Sequence, residues 1–171
     1  MLYFGIAIGV MALAITLTLL LTRQRVVYEV RAFVTDEGGN LLLVYDQASR
    51  RMAVPSRRVA FDEIPTKALE LLMAESYPTL CWQYDWRHHA RNNKYDRVRD
   101  DVGPIYTYYI EKKAKKHCVL CYALQFGGTL PEGQKHEYPF PELFPPADIQ
   151  VMSADIRPEE KTMHVIGQYL R

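Results

Sequence analysis

The chain opens on twenty-two consecutive uncharged residues, MLYFGIAIGVMALAITLTLLLT, and every charged side chain follows them. As a helix rising about 1.5 Å per residue, such a run spans roughly 33 Å, enough for a bilayer core. No Lys or Arg precedes it, and it ends in Leu-Leu-Leu-Thr-Arg rather than in a small-residue cleavage site. The pattern therefore predicts a retained transmembrane helix over residues 1–22, not a cleaved signal peptide. Arg23 and Arg25 make residues 23–25 a basic juxtamembrane segment. By the positive-inside tendency they place residues 26–171 in the cytoplasm, behind a single pass through the cell (inner) membrane. Gly5, Gly9 and Ala12 share one face of the predicted helix. Small residues at that spacing let two helices approach closely in lipid, so homo-oligomer formation through this face is expected.

Beyond residue 25 the pattern changes period. Residues 26–34, VVYEVRAFV, read as a strand. Asp36-Glu37-Gly38-Gly39-Asn40 reads as a turn, and residues 41–45 as the second arm of a hairpin. Residues 52–55 form a short strand candidate. Residues 65–77 read as a helix, with Pro65 at its start and Pro78 beyond its end. Ala68, Leu71 and Leu72 set its apolar stripe, widened by Leu69 and Met73. Residues 82–101 break the apolar pattern and read as a polar, irregular connection. Residues 105–110 and 118–126 read as strands. Residues 131–146 carry five of the ten prolines and read as an irregular loop, and 149–152 as a short strand. Pro158-Glu159-Glu160 opens a final helix, with Met163, Ile166 and Leu170 inward. The order predicts an α+β domain over residues 26–171, large enough to bury its own core.

Composition narrows the function classes. With 171 residues, 49% apolar, 24% charged and a net charge of +1, the chain is no disordered tail and no nucleic-acid-coating polycation. A DNA or RNA duplex is not an expected partner. Three cysteines make no disulfide framework. His117-Cys118-x-x-Cys121 falls in a strand-like run, where positions i and i+3 point to opposite faces, so buried free thiols are expected rather than a metal site. The adjacent pair His88 and His89 is poor chelating geometry, and solvated histidines are expected. Trp82, Tyr84 and Trp86 lie among Arg87, Arg91, Lys94, Arg97 and Arg99. Such a mixture suits stacking on bases and holding phosphates; an aromatic core set with a charged rim is the alternative.

Over residues 31–79 the chain resembles a Nudix domain. The family motif is Gly, five residues, Glu, seven residues, then Arg-Glu-aliphatic-x-Glu-Glu-x-Gly-aliphatic, after a hairpin such as VRAFVTDEGGNLLLVYD. Registered on Glu63, the motif finds Arg57 in place of the first Gly and Leu71 in place of the Arg. Leu72 stands at the first helical Glu, Met73 at the aliphatic position, Glu75 at one Glu of the pair, Ser76 at the other, and Pro78 at the last Gly. CVLCYALQF resembles the family's later core strand. ADIQVMSADIRPEEKTMHVIGQYLR resembles its last strand, acidic turn and helix. The resemblance implies a Nudix-like mixed sheet flanked by helices.

It also implies a chemistry, which the substitutions modify. Nudix hydrolysis uses carboxylates on one helix face to hold a divalent metal. Of the helical acids only Glu75 remains; Glu70 lies about 140° away around the helix. A chain that is not an enzyme, with no metal and no cofactor, is therefore expected. Arg50-Arg51 and Arg57-Arg58 lie beside the loop that a Nudix fold brings to a diphosphate, and Arg57 puts a fixed positive charge there. Arg51, Arg57 and Arg58, with Trp82, Tyr84 and Trp86 for stacking, are the expected ligand contacts. The layout resembles the transmembrane-Nudix effectors of bacterial cyclic-oligonucleotide antiphage systems, which carry two membrane helices where this chain shows one span. The resemblance implies a bilayer-anchored sensor of a cyclic oligonucleotide. A structural subunit of a membrane complex and a divalent-metal nucleoside-diphosphate hydrolase are the alternatives.

Overall fold

The computed structural model describes residues 26–89, 102–112, 115–127 and 141–170. The helix expected over residues 1–22, with Gly5, Gly9 and Ala12, lies outside the described residues, as do residues 23–25. Among the described residues no helix is long and apolar enough to cross a membrane.

The elements run β1 (Val27–Thr35), β2 (Leu41–Asp46), β3 (Arg51–Ala53), β4 (Ser56–Arg58), α1 (Pro65–Ser76), β5 (Cys81–Tyr84) and α2 (Trp86–His89). Then follow β6 (Tyr106–Lys112), β7 (Lys115–Gly127), β8 (Pro141–Phe144), α3 (Pro146–Val151) and α4 (Glu160–Tyr169). The hairpin, the helix after it and the final helix stand where the sequence predicts them. Three expectations are corrected. Residues 149–152 are not a strand, because Pro146 opens the helix α3 there. Residues 81–84 pair with β7 as the strand β5 inside what reads as an irregular stretch. Residues 141–144 pair with β2 as β8 within the proline-rich stretch.

β1 and β7 form the centre of an eight-stranded mixed sheet, parallel to each other from Val27↔His117 to Thr35↔Gln125. Both are buried on two faces, which is why β1 is apolar along most of its length instead of alternating. The outer edge of β1 is shared. β2 pairs it at Thr35↔Leu41, and β4 pairs it at Glu29↔Arg58, Val30↔Arg57 and Arg31↔Ser56. β7 divides its outer edge likewise, between β6 and β5. The sheet thus forks on both sides, and the fork on the β1 side frames the site described below. At the β1–β2 turn Gly39 has φ 78°, a left-handed conformation that suits glycine.

Two cores follow. Val30, Ala32, Val34, Leu124 and Phe126 face α1, which buries Ala68, Leu69, Leu72 and Met73 against them. Leu72, at a motif position reserved for a carboxylate, is a core residue. On the opposite face Phe33, Leu41, Leu43, Val119 and Ala123 meet Ile149 of α3 and Val165 and Ile166 of α4. Each fully buried aliphatic or aromatic side chain contributes about 1.5–3 kcal/mol of transfer free energy. The α/β/α layering of the α+β domain is therefore carried by β1 and β7, whose side chains supply both interfaces.

Cys118 and Cys121 are buried free thiols, as expected, and Cys81 is exposed. Burial pushes the Cys121 thiol up to about 12 and raises Cys118 as well. Since the thiolate is the nucleophile, alkylation of native protein near neutral pH should modify Cys81 alone. Peptide mass spectrometry after iodoacetamide, with and without denaturant, checks this. Modification of Cys121 in native buffer at the rate of Cys81 would contradict the buried placement.

Candidate functional site

Arg31 is the buried cation on which this site is built. It lies mid-strand in β1, its side chain only 7% exposed. Its Nε donates to Glu29 at 2.8 Å, its Nη1 donates to the Thr162 hydroxyl at 2.8 Å, and both terminal nitrogens donate to Glu159 at 3.2 Å. The guanidinium also lies 5.7 Å from the Tyr108 ring centroid. Burial by itself would lower the Arg31 pKa, but Tyr108, Glu29 and Glu159 outweigh it and raise the pKa above the ordinary guanidinium value. The charge is fixed. Burial likewise pushes Tyr108 up to about 12.

A cavity of about 240 Å³ opens over this cation, where β2 has diverged from β1 and β4 takes over the pairing. Arg31, Arg51 and Lys112 supply donors and positive charge; Glu29, Asp46 and Glu159 supply acceptors. Thr162 and Glu159 bring the N-terminal end of α4 to the rim. Such a set can hold phosphate on its cations and the amino or hydroxyl groups of a nucleoside on its acids.

The expected ligand residues are distributed by the fold over four places. Arg51 lines the cavity. Arg57, next to the cavity residue Ser56, turns to the α1 face. There its Nη1 donates to Glu75 at 2.6 Å, and its Nη2 lies 3.9 Å from Glu63. Arg58 lines a second, open cavity with Val27, Lys112, Lys115 and His117. Tyr84 and Trp86 stand edge-on to His89, Tyr84 with its centroid at 5.5 Å, and Trp82 stands edge-on to Tyr84 at 5.7 Å. Trp82 and Tyr84 pack on the α1-side core, while Trp86 is 55% exposed.

His89 corrects the expectation of a solvated side chain. It is 0% exposed, its Nδ1 2.8 Å from the Gly103 carbonyl and its Nε2 3.0 Å from that of Ala123. It joins α2 to β7 and to the segment before β6. Beside it, burial would raise the Asp85 pKa, but hydrogen bonds from the Arg87 guanidinium and backbone hold it below the usual carboxylate value.

The sequence reading missed Arg31, Lys112, Glu159 and Thr162. For Arg31 a signal existed, because Glu29-x-Arg31 puts opposite charges on one face of an otherwise apolar strand. For Glu159 and Thr162 none did, since they reach Arg31 across 128 and 131 residues.

The two motif acids that the chain keeps, Glu63 and Glu75, converge on one guanidinium. Glu70 is turned to Lys67, 2.9 Å away. Nudix chemistry implies a divalent cation. Two carboxylates already facing Arg57 fall short of the six or so oxygens such an ion takes, and the guanidinium competes for them. Among the described residues no three His, Cys, Asp or Glu side chains come together as a metal site. The residues as placed do not fit the ion.

No family model matches the sequence, and no curated protein matches it in a sequence search. Solved structures do match the fold. A Nudix-family hydrolase from Clostridium perfringens superposes with TM-score 0.61 at 14% identity, over 84% of this chain and 95% of that one. A Nudix hydrolase from Nitrosomonas europaea gives 0.60 at 12% identity, over 85% and 88%. The Ap4A hydrolase of C. elegans gives 0.55 at 14% identity, over 83% and 94%. The fold is Nudix-like. The expectation that the chain is not an enzyme, drawn from Leu71, Leu72 and Ser76, is corrected here. Hydrolases are prominent among the structures that share its fold, and the retained acids Glu63 and Glu75 both face Arg57.

Proposed function

We propose that this chain is a membrane-anchored Nudix-fold protein that binds a nucleotide-derived, phosphate-bearing ligand, with hydrolysis of a phosphoanhydride as its reaction. The observation that carries the ligand class is the cavity over Arg31, lined also by Arg51 and Lys112 and by the acids Glu29, Asp46 and Glu159. A nucleoside diphosphate derivative, a dinucleoside polyphosphate or a cyclic oligonucleotide presents the matching groups. The hydrolases that share the fold support the reaction class. The reacting groups of this chain lie on the α1 face, across β4 from that cavity: Glu75 is an exposed carboxylate able to take a proton from water once a ligand phosphate reaching past β4 replaces it on Arg57, its 2.6 Å partner. Arg58 and the Trp82–Trp86 aromatics are proposed as outlying contacts for a long ligand.

The uncharged run at residues 1–22 supports the anchor, and Gly5, Gly9 and Ala12 support association of two such helices. On this reading the ligand acts on the membrane helix, because a signal that binds one assembly state better than another shifts their balance. Antiviral defence is the proposed setting, from the likeness to transmembrane-Nudix effectors. A structural subunit of a membrane complex is the reading to which a failure of all binding would lead.

The test is calorimetry of the full-length protein against diadenosine polyphosphates, nucleoside diphosphate derivatives and cyclic di- and trinucleotides, with turnover measured by product release. Binding to one class is expected, with turnover that Glu75→Gln removes. If every compound fails to bind up to millimolar concentration, the ligand reading is wrong. Binding with turnover untouched by Glu75→Gln would remove that residue's role.

A further inference from the structure

The strand register gathers one set of side chains at a single end of the sheet. Val27 pairs with His117, Lys112 with Lys115, and Arg58 with Glu29, while the Val59 amide donates to the Tyr28 carbonyl at 2.9 Å. The start of β1, the ends of β4 and β6 and the start of β7 therefore meet. At this end Arg58, Lys112, Lys115 and His117 surround an open cavity of about 530 Å³. Lys116 lies 4.5 Å from the ring centroid of Tyr109, itself 56% exposed.

The same end projects apolar side chains into solvent. Phe61, in the turn after β4, is 103% exposed, and Ile64, just before α1, is 53% exposed. Such exposure has no use in water, since a phenyl ring is among the side chains that gain most from burial. Acids are present as well: Glu111 and Asp62 lie here, and Glu29 takes Lys112 at 3.6 Å and His117 at 3.9 Å. Arg58, Lys112, Lys115 and Lys116 stand against those three acids.

We propose that this end of the sheet is a membrane-contact surface, with Phe61 and Ile64 entering the headgroup boundary and Arg58, Lys115 and Lys116 meeting anionic lipid headgroups. The occupant is argued from two features. Exposed aromatics interleaved with cations match the interface of an anionic bilayer. This is also the end at which the uncharged residues 1–22 join the domain, which is the clause that rests on the proposed anchor. Four to eight Lys and Arg next to a membrane segment are the pattern that anionic lipids attract. The contact would hold the sheet end-on to the membrane, with the β1–β2 turn and β5 at the distal end.

The experiment uses the full-length chain with Cys81→Ser, reconstituted into vesicles containing a nitroxide-labelled lipid quencher, with or without phosphatidylglycerol. An environment-sensitive fluorophore is placed on Phe61→Cys, or on Glu37→Cys in the turn at the other end of β1. Quenching at position 61 but not at 37, strengthened by phosphatidylglycerol and weakened by salt, is the expected result. Lys115→Ala with Lys116→Ala should lower the docked-to-free ratio about 25-fold, at about fivefold per cation. Equal quenching at 61 and 37, or quenching at 61 indifferent to lipid charge, would overturn the contact surface. Carbonate washing of the same vesicles reads the anchor separately. Protein that washes off sinks the anchor reading, while lipid-charge-dependent quenching before the wash would still support the surface.

Discussion

Arg31→Ala is expected to destabilise the protein by about 3–5 kcal/mol, a large part of the 5–15 kcal/mol that holds a typical domain folded. The size of the effect comes from what the substitution leaves behind. Glu29, only 12% exposed, would lose its 2.8 Å partner, and Thr162 would lose its donor. Glu159, at 42% exposure, is better served by water and adds less. The cost is thus chiefly that of a buried carboxylate left with only its longer contacts, to Lys112 at 3.6 Å and His117 at 3.9 Å. Arg31→Met with Glu29→Gln removes both charges while keeping most of the volume, so it should recover much of the loss. Urea midpoints of the wild type and these two variants measure this directly. A loss below about 1 kcal/mol for Arg31→Ala would mean that water solvates these groups in the folded protein, and the cavity would no longer be a built site.

Arg51→Ala should weaken binding of the cognate ligand roughly 10- to 150-fold, the range for loss of one charge-assisted contact worth about 1.5–3 kcal/mol. Stability should change little, because Arg51 sits on a short outer strand at intermediate burial. Calorimetric titration beside a urea melt separates the two effects. An unchanged affinity would move the phosphate to the other side of β4, toward Arg57. The contrast with Arg31 is physical: one cation is hydrogen-bonded to two of the protein's own acids, and the other lines the cavity at intermediate burial.

The main fold was legible because its signals are local. The apolar run 26–34, the Gly-Gly turn and the Pro65 helix start each act within a few residues, and the structure places β1, β2 and α1 accordingly. The Nudix likeness was legible for the same reason, since its motif is one contiguous stretch. The substitutions at Leu72 and Ser76 were equally legible. They show which side chains left the motif, but not where Glu63 and Glu75 are carried. That is decided by Arg57, whose place opposite Val30 in the β1–β4 ladder turns it to the α1 face.

The sequence by itself therefore determined the first hairpin, α1 and the final helix, the central apolar strands, the buried thiols of Cys118 and Cys121 and the positions of the retained motif acids. Tertiary structure decided which charges form a site. Alternation along β1 sends Val30 to one core and Glu29 and Arg31 to the other face, and only the return of α4 brings Glu159 and Thr162 onto Arg31. The neighbouring arginines 57 and 58 diverge by the same rule, because successive side chains of a strand point to opposite faces. Adjacency in sequence foretold a shared site for them, and the pleat of β4 forbids it.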